Sequence, residues 1–220
     1  VGFVKREIIN LAFDFGASSG RAIVSKFDGE KITLEEIHRF SNEPVRAGNY
    51  FYWDFLRLLH DLKTGLKKAA GKYENISSIG IDTWGVDYGL LDKNDDLLSN
   101  PINYRDSRTD NILEDIEKYV PYKDIYEKTG IQYMALNTLY QFYADKKYRP
   151  HILEQAKAFL FMPDLFNFFL TGNKYTEYTI ASTSQMLDAE KKCWMDEIFK
   201  KLELPVDIFP EMIKPGTVCG

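Results

Sequence analysis

The sequence is poor in cysteine. Two cysteines occur in 220 residues, Cys193 and Cys219, and neither belongs to a C-x-x-C pair or a histidine-rich cluster. This excludes a disulfide framework and a zinc site of recognisable ligand spacing. Long apolar runs are also missing: no stretch approaches the ~18 residues of a membrane helix, and charges interrupt residues 1–10, unlike a signal peptide. We therefore expect a protein of the reducing cytoplasm.

The sequence also lacks clusters of positively charged residues. The chain has 28 basic and 33 acidic residues, a net charge of −5, and its lysines are scattered as pairs such as Lys67–Lys68 and Lys146–Lys147. Sequence-independent binding to nucleic acid needs grouped lysine and arginine to displace counterions. We therefore expect neither a nucleic-acid nor a membrane partner. The remaining composition, 45% hydrophobic and 28% charged, is ordinary for a globular protein with a sizeable core.

The first part of the chain carries the pattern of a mixed sheet. Three strands are followed by an amphipathic helix, with Asp54 as its N-cap, and then by a fourth strand. The order β-β-β-α-β predicts an α/β domain rather than a repeat of βαβ units. From residue 107 onward the pattern predicts a helical elaboration. The predicted strands are 8–13, 21–27, 32–40 and 76–83, and the predicted helices are 55–73, 108–120, 137–148 and 163–170.

The turn between the first two strands, within FDFGASSGRAIVSKF (residues 13–27), is rich in glycine and serine. It is neither a P-loop nor a dinucleotide fingerprint, because both open a helix and here a strand follows Gly20. Two interpretations remain. The backbone N–H groups can form an anion nest, with φ freedom from Gly16 and Gly20 and with Asp14 placed to hold Mg²⁺. Alternatively, the turn is only a hairpin corner, since glycine, serine and aspartate are common turn residues.

A second stretch, SIGIDTWGVDYGLLD (residues 78–92), favours the anion nest. A predicted strand delivers Asp82, followed by Trp84, whose flat apolar face suits a sugar ring. Gly85 then lets a ligand approach the backbone, and Asp87 adds a second carboxylate that can accept hydrogen bonds from hydroxyl groups. Trp84 alone is more typical of core packing than of a binding site, but the group predicts a polyol site. Further polar residues for this site lie downstream, namely Arg105, Asp106, Asn137, Thr138 and Gln141.

Several longer motifs follow one another from about Leu11 to Gly220. They are DFGASSGR, SIGIDTWGVDYGLLD, NPINYRDSRT, GIQ…NTLYQ, LFMPDLFNFFLTG and KPGTV.G. With these motifs the sequence resembles the N-terminal half of the FGGY carbohydrate kinases, and among them those that act on L-rhamnulose. GASSGR alone is a weak motif, whereas DTWGVD followed by YRDSRT is close to family-specific. The resemblance implies an actin-like, ribonuclease-H-type fold and ATP- and Mg²⁺-dependent phosphorylation of the 1-hydroxyl of L-rhamnulose.

The resemblance also implies roles for individual residues. The turn between the first two strands would bind the ATP phosphates, Asp14 would be associated with Mg²⁺, and Gly85 would contact the ketose. Chemistry and proximity add Asp82, Trp84, Asp87 and Arg105 to the sugar side. The phosphate-binding turn consists of Ala17, Ser18, Ser19, Gly20 and Arg21.

The sequence departs from the family pattern in two ways. Ile180, in EYTIASTSQ, stands where the family favours Asn, which puts the exact sugar in question. The larger departure is that the family's catalytic base and adenine-binding residues belong to a C-terminal half whose motifs are not found here. We therefore assign no catalytic base to this chain and interpret residues 1–220 as a sugar-binding N-terminal domain that works with its own C-terminal ATP-binding domain. The start at Val1 and the end at Gly220 agree with a segment of a longer protein.

Other functions stay open at this point. In a nuclease on the same fold, Asp14 and Asp82 would hold two metal ions ~3.5–4 Å apart, although the acidic composition argues against it. A non-catalytic sugar-binding module would use the ketose site without ATP, and a related kinase would act on another ketose, such as L-fuculose or fructose. The sequence leaves the oligomeric state and the preferred nucleotide open.

Overall fold

The computed structural model describes residues 7–220, and the chain divides into two compact units. The first unit comprises Val1–Pro44 and Asp54–Trp84, and the second comprises Val45–Trp53 and Gly85–Gly220. Within residues 7–220, no helix combines the length and the apolar character needed to cross a membrane.

The strands are β1 (Ile8–Phe15), β2 (Ser19–Phe27), β3 (Ile32–Ser41), β4 (Val45–Ala47), β5 (Tyr50–Tyr52), β6 (Ile76–Thr83), β7 (Tyr88–Leu91), β8 (Ala158–Phe161), β9 (Thr176–Glu177), β10 (Leu187–Asp188), β11 (Cys193–Trp194) and β12 (Met212–Ile213). The helices are α1 (Phe55–Lys72), α2 (Ile112–Glu117), α3 (Tyr122–Thr129), α4 (Thr138–Tyr148), α5 (Pro150–Gln155), α6 (Met162–Thr171), α7 (Tyr178–Ser182) and α8 (Asp196–Leu202), with a 3₁₀ helix at Ser107–Thr109.

The first unit is built on a four-stranded sheet with the order β3-β2-β1-β6. β1 pairs antiparallel with β2, β2 pairs antiparallel with β3, and β6 pairs parallel with β1. A parallel pair requires a crossover connection, and α1 lies in that connection. The predicted order β-β-β-α-β is confirmed for the first unit, and β6 has the predicted bounds, but the short strands β4 and β5 of the second unit, between β3 and α1, were not predicted.

Helix α1 packs on one face of this sheet through a close approach at Gly65. A Cβ atom on Gly65 would come within 2.7 Å of Phe13 Cε1 and 2.9 Å of Ala22 Cβ, so a larger residue would push the helix away. Asp54 begins α1 as predicted, because its carboxylate accepts a hydrogen bond from the N–H of Arg57. Side chains alternate along a strand, so the neighbours of buried Phe13 point to the other face, and Asp14 is one of them.

The second unit has its own core, in which aromatic rings pack around β7 and β8. Tyr88 of β7 stacks on Phe159 of β8, with ring centroids 4.2 Å apart, and Phe159 also stacks on Phe209 at 4.4 Å. Phe142 of α4 packs edge-on against Tyr88 and Phe159. Every residue of both strands is buried. A strand buried on both faces shows no polar–apolar alternation, so the sequence pattern did not predict these two strands.

The helical prediction for the second unit is confirmed only in part. Helices α4 and α6 lie close to their predicted positions, and Gly172 ends α6 with a φ of 77°. The single helix predicted at 108–120 is wrong, because a 3₁₀ helix precedes the short α2. Asp106 explains the break: its carboxylate accepts hydrogen bonds from the N–H of Arg108 and, at 2.7 Å, from the N–H of Phe51. These bonds hold the chain in a turn instead of a continuous helix.

Asp164, in the first turn of α6, is a buried carboxyl group with 4% of its surface exposed. Both of its oxygens lie 3.3 Å from the backbone N–H of Glu177, which donates to them. Burial raises the pKa of Asp164 to about 8; the hydrogen bond from Glu177 offsets this in part, and the charge of the Glu177 carboxylate adds to it. Asp164 is therefore protonated at neutral pH.

We expect the protein to lose stability as the pH rises from about 4 to about 8. Below the ordinary pKa of 3.8, Asp164 is protonated in both the folded and the unfolded state. Between that value and about 8, only the unfolded state releases the proton, so ionisation favours unfolding. The full effect is on the order of 5 kcal/mol. Asp164→Asn cannot ionise, and it keeps an oxygen that accepts the hydrogen bond from the N–H of Glu177. Its free energy of unfolding relative to wild type, measured by urea denaturation, should therefore be higher at pH 8 than at pH 5.

Asp188→Asn is the matched control for this experiment. The backbone hydrogen bond from Lys191 is the main cause that lowers the pKa of Asp188, so this carboxyl titrates below the pH window in question. If the free energies of unfolding of Asp164→Asn and wild type differ by the same amount at pH 5 and pH 8, Asp164 does not have a raised pKa in the folded protein.

Candidate active site

The turn between β1 and β2 is fixed through its carbonyl groups. The N–H of Gly16 donates to the carbonyl of Ser19 at 3.0 Å and closes the turn. Asn42, which is 2% exposed, donates from its side chain to the carbonyl of Gly16 at 2.8 Å and from its backbone to that of Ser18 at 3.0 Å. In the part of the chain that the structure describes, the N–H groups of Ala17 and Ser18 have no hydrogen-bond acceptor. Two free amide donors on a fixed turn suit an anion such as a phosphate group.

Gly16 and Gly20 are needed in this turn for close packing. The sequence predicted that they supply freedom in φ, but neither residue has a positive φ. β2 already begins at Ser19, so Gly20 is an extended strand residue. A Cβ atom on Gly20 would lie 2.2 Å from Phe40 Cζ, and one on Gly16 would lie 3.0 Å from the Ser19 oxygen. Gly20 therefore lets the aromatic core reach the backbone next to the turn.

Three charged side chains lie in register across the sheet beside this turn. Asp14 on β1 is the register partner of Arg21 on β2 and of Asp82 on β6. Partners on neighbouring strands lie about 5 Å apart and point to the same face. Arg21 Nε is 3.5 Å from Asp14 Oδ2, and the two side chains are 37% and 46% exposed. The row therefore presents one positive and two negative groups next to the amide donors of the turn.

The oxygen atoms of this row suit a magnesium ion. Mg²⁺ prefers carboxylate oxygens, and it usually takes one or two of them from the protein and the remaining ligands from phosphates and water. Asp14, which was predicted for Mg²⁺, and Asp82, which was predicted for the sugar, both fit this requirement, because the strand register makes them neighbours. Among residues 7–220, no group of three or more His, Cys, Asp or Glu side chains is arranged to hold a metal ion. The residues therefore fit a cation that is shared with a phosphate ligand, and not a closed cage made by the protein alone.

In the second unit, Gly85 begins a loop and has open space beside its backbone. A Cβ atom at this position would meet only Thr183 Oγ1, at 3.9 Å, and its φ is not in the left-handed region. The positive φ belongs to the next residue, Val86, at 69°. The open space agrees with the expectation that a ketose contacts the backbone at Gly85.

Asp87 fixes the chain just after this loop. It is 1% exposed, and its Oδ2 accepts hydrogen bonds from Trp53 Nε1 at 2.5 Å and from the N–H of Tyr104 at 3.2 Å. Its Oδ1 accepts a hydrogen bond from Gln141 Nε2 at 2.7 Å. These contacts make Asp87 an internal acceptor, while its direct contact with a sugar stays a prediction.

Comparison with known proteins adds a decisive match. Residues 9–220 match the FGGY family of carbohydrate kinases, N-terminal domain. The chain belongs to the FGGY family. Its curated relatives include the rhamnulokinase of Halalkalibacterium halodurans, 45% identical over 211 residues, and the rhamnulokinase of Oceanobacillus iheyensis, 41% identical over 211 residues. Each alignment covers 96% of this chain but 45% of the relative, so the chain spans less than half the length of these relatives.

Solved structures of sugar and glycerol kinases share the fold of this FGGY chain. The xylulose kinase of Lactobacillus acidophilus has a TM-score of 0.85 at 18% identity and covers 96% of this chain and 43% of its own. The glycerol kinase of Plasmodium falciparum, solved with ADP, has a TM-score of 0.79 at 20% identity, covering 96% of this chain and 44% of its own. Identities this low establish the fold alone. The expected actin-like α/β fold is confirmed.

Two further residues predicted for the FGGY sugar site have different surroundings. Trp84 ends the first unit and is half-buried. Arg105, in the second unit, is exposed, and its guanidinium lies over the ring of Tyr104, 4.9 Å from the centroid. A role for Trp84 or Arg105 in sugar binding stays a prediction.

Ile180, the departure from the FGGY pattern, lies in α7. Its side chain packs against the apolar core of the second unit, and its N–H donates to the carboxylate of Glu177 at 3.2 Å. An apolar contact therefore occupies the position where the family pattern has a polar residue.

A buried ionic network around the YRDSRT motif was missed by the sequence analysis. Arg108 is 8% exposed, donates to Gln141 Oε1 at 2.8 Å and lies 3.6 Å from Asp145 Oδ1. Arg149 donates to the same Asp145 oxygen at 3.3 Å, and the hydroxyl of Tyr88 donates to Oδ2 at 2.7 Å. Burial disfavours the charge of Arg108, but Asp145 and other nearby acids outweigh it and raise the pKa of Arg108. The available signal was the spacing of Asp145 and Arg149, four residues apart on a helix.

The nuclease interpretation receives no support from these comparisons. The register of Asp14 and Asp82 does bring two carboxylates together, as a two-metal nuclease requires. The family match and the curated relatives, however, are all to carbohydrate kinases.

Proposed function

We propose that this chain supplies the phosphate-binding turn and the sugar-contacting loop of a kinase that transfers phosphate from ATP to the 1-hydroxyl of a ketose, with L-rhamnulose as the preferred substrate. The family match and the identity of 41–45% to rhamnulokinases support the assignment. The observation that carries it is the turn with free amide donors at Ala17 and Ser18, directly beside the in-register row Arg21, Asp14 and Asp82.

On the phosphate side, the residues of the first unit bind and orient the transferred group. The amides of Ala17 and Ser18 donate to phosphate oxygens, the hydroxyls of Ser18 and Ser19 add donors, and Arg21 neutralises negative charge. Asp14 and Asp82 would hold Mg²⁺, which when bound neutralises charge on the phosphates. Phosphoryl transfer depends mainly on positioning and charge stabilisation, so a rigid turn suits this task.

On the sugar side, the open backbone at Gly85 contacts the ketose, and Trp84 and Arg105 are further candidates for the same role. No residue of this chain is assigned as the base that accepts the proton of the 1-hydroxyl. We propose that this base and the adenine pocket belong to a C-terminal domain, as the greater length of the relatives suggests. A cytoplasmic location is part of the same proposal.

A ketose panel tests the substrate assignment. ATP consumption by the full-length gene product, coupled to NADH oxidation, should give a kcat/KM for L-rhamnulose at least ~10-fold above those for L-fuculose, L-xylulose and fructose, a margin typical of a small change in pocket contacts. A higher value for another ketose would reassign the substrate within the family. Binding of a ketose without any ATP consumption would support a sugar-binding module instead.

A further inference from the structure

The loop after Gly85 contains a strained backbone turn. The N–H of Asp87 donates to the carbonyl of Gly85 at 3.0 Å, across the single residue Val86. Val86 has a φ of 69°, in the left-handed region that β-branched residues rarely adopt. A three-residue turn with a positive central φ is a rare and strained form of γ-turn. Such strain persists only where the surroundings enforce it, and it is concentrated at functional sites.

Two buried side chains of α4 hold this turn through its central carbonyl. Thr138 Oγ1 donates to the carbonyl of Val86 at 2.9 Å. Gln141 Nε2 lies 3.3 Å from the same oxygen and 2.7 Å from Asp87 Oδ1. Both Thr138 and Gln141 are fully buried at 0% exposure, so water does not compete for these contacts.

Asp87, the last residue of this turn, is also held by hydrogen bonds. Asp87 accepts hydrogen bonds from Trp53 Nε1 and from the N–H of Tyr104 on its carboxylate, and from the N–H of Met162, at 3.2 Å, on its backbone carbonyl. The donors come from separate segments of the second unit, so the position of Asp87 is determined by the core.

Gly85 itself carries none of this strain. Its φ is ordinary and the space where a side chain would lie is open. The buried contacts therefore fix the residue after Gly85, while the space beside Gly85 stays open.

We propose that Thr138 and Gln141 are positioning residues for the ketose: by clamping Val86 in the strained turn, they present the Gly85 backbone to the sugar in a single orientation. The inference rests on the proposed function, in which Gly85 contacts the ketose. A loosened clamp allows several orientations of Gly85, so the ketose binds more weakly while ATP binding is unaffected.

Thr138→Val tests the clamp because valine matches threonine in shape and lacks the hydroxyl. In the full-length gene product, we expect this variant to raise the KM for L-rhamnulose ~10-fold, with the KM for ATP unchanged. Thr138→Ser restores the donor and should return the KM towards wild type. Thr129→Val is the matched control, since Thr129 is also buried and donates to the carbonyl of Ile125 at 2.9 Å, but lies in α3. The control should lose stability without a change in either KM.

Val86→Gly gives a second test that does not depend on removing a buried bond. Glycine accepts a positive φ without strain but also populates many other backbone conformations, so the thermal midpoint should equal or exceed that of wild type while the less restricted turn raises the KM for L-rhamnulose. Lys192→Gly relaxes another positive φ, of 55°, in the β10–β11 turn and should leave the KM unchanged.

The results separate this proposal from the proposed function. A wild-type enzyme that phosphorylates L-rhamnulose, with unchanged ketose KM in both Thr138→Val and Val86→Gly, overturns the clamp and leaves the function standing. An equal rise in KM in Thr129→Val also overturns it, because the effect would then be a general loss of stability. A wild-type enzyme inactive with every ketose overturns both.

Discussion

Replacing Asp14 with asparagine should lower the turnover of the full-length gene product by ~10²-fold or more, while ketose binding stays nearly intact. Asp14 lies between Arg21 and Asp82 in the charged row, beside a turn whose amides are free to bind phosphate. Asparagine has the same shape but no charge, so it removes a ligand for the cation and leaves the backbone unchanged. The loss affects the step in which charge develops on the transferred phosphate, and it does not involve the sugar loop of the second unit.

The fold should tolerate this change because the Asp14 side chain is 46% exposed and its ion pair with Arg21, at 3.5 Å, is long. Steady-state turnover at saturating magnesium, together with ketose binding by calorimetry, measures both halves of the prediction. Asp28→Asn is the control: Asp28 also belongs to the first unit and accepts backbone hydrogen bonds from Glu30 and Lys31, but it lies at the opposite end of β2. Wild-type turnover in Asp14→Asn under these conditions would count against the phosphate-side assignment.

Gly85→Val should raise the KM for L-rhamnulose by ~10–100-fold. The protein itself has room for the new side chain, since the nearest atom to a Cβ would be Thr183 Oγ1 at 3.9 Å. The φ of Gly85 is also ordinary, so a β-branched residue is not strained there. Any large effect on binding therefore comes from a clash with the ligand, and Gly85→Ala should give a smaller effect of the same sign.

Gly71→Val serves as the control for the introduction of a valine, because Gly71 lies on the exposed face of α1 with no atom within 4 Å of a Cβ. Circular dichroism establishes whether each variant is folded. A folded Gly85→Val protein with the KM of wild type would remove the basis for a ketose contact at Gly85.

The sheet of the first unit was predictable because its strands have one buried and one exposed face. Alternating residues such as Leu11 and Phe13 are buried next to exposed or half-exposed neighbours, and Asp54 gives the start of α1 a local signal. β7 and β8 were not predictable in the same way, since both are buried throughout. Their position follows from the aromatic packing of the second unit, which no short sequence window contains.

In the candidate site, too, features with a local sequence signal were predictable and features that depend on distant residues were not. The composition of the turn and the charge of Asp14 predicted an anion site, and the register of β1 and β6 added Asp82 as the neighbour of Asp14. The carbonyl groups of the turn are held by Asn42, which is distant in sequence. The positive φ at Val86 and the burial of Asp87 depend on donors from several segments, so no short stretch of the sequence predicts them.

We propose that this chain takes part in ATP-dependent phosphorylation of a ketose at its 1-hydroxyl, and the identity of the product tests this function. The full-length gene product is incubated with L-rhamnulose, ATP and Mg²⁺, and the products are analysed by phosphorus–proton correlation NMR. We expect one ADP for each sugar phosphate formed, with the phosphorus coupled to the two protons on carbon 1. ATP that is hydrolysed to free phosphate without a sugar phosphate, or a phosphate on another carbon, would contradict it.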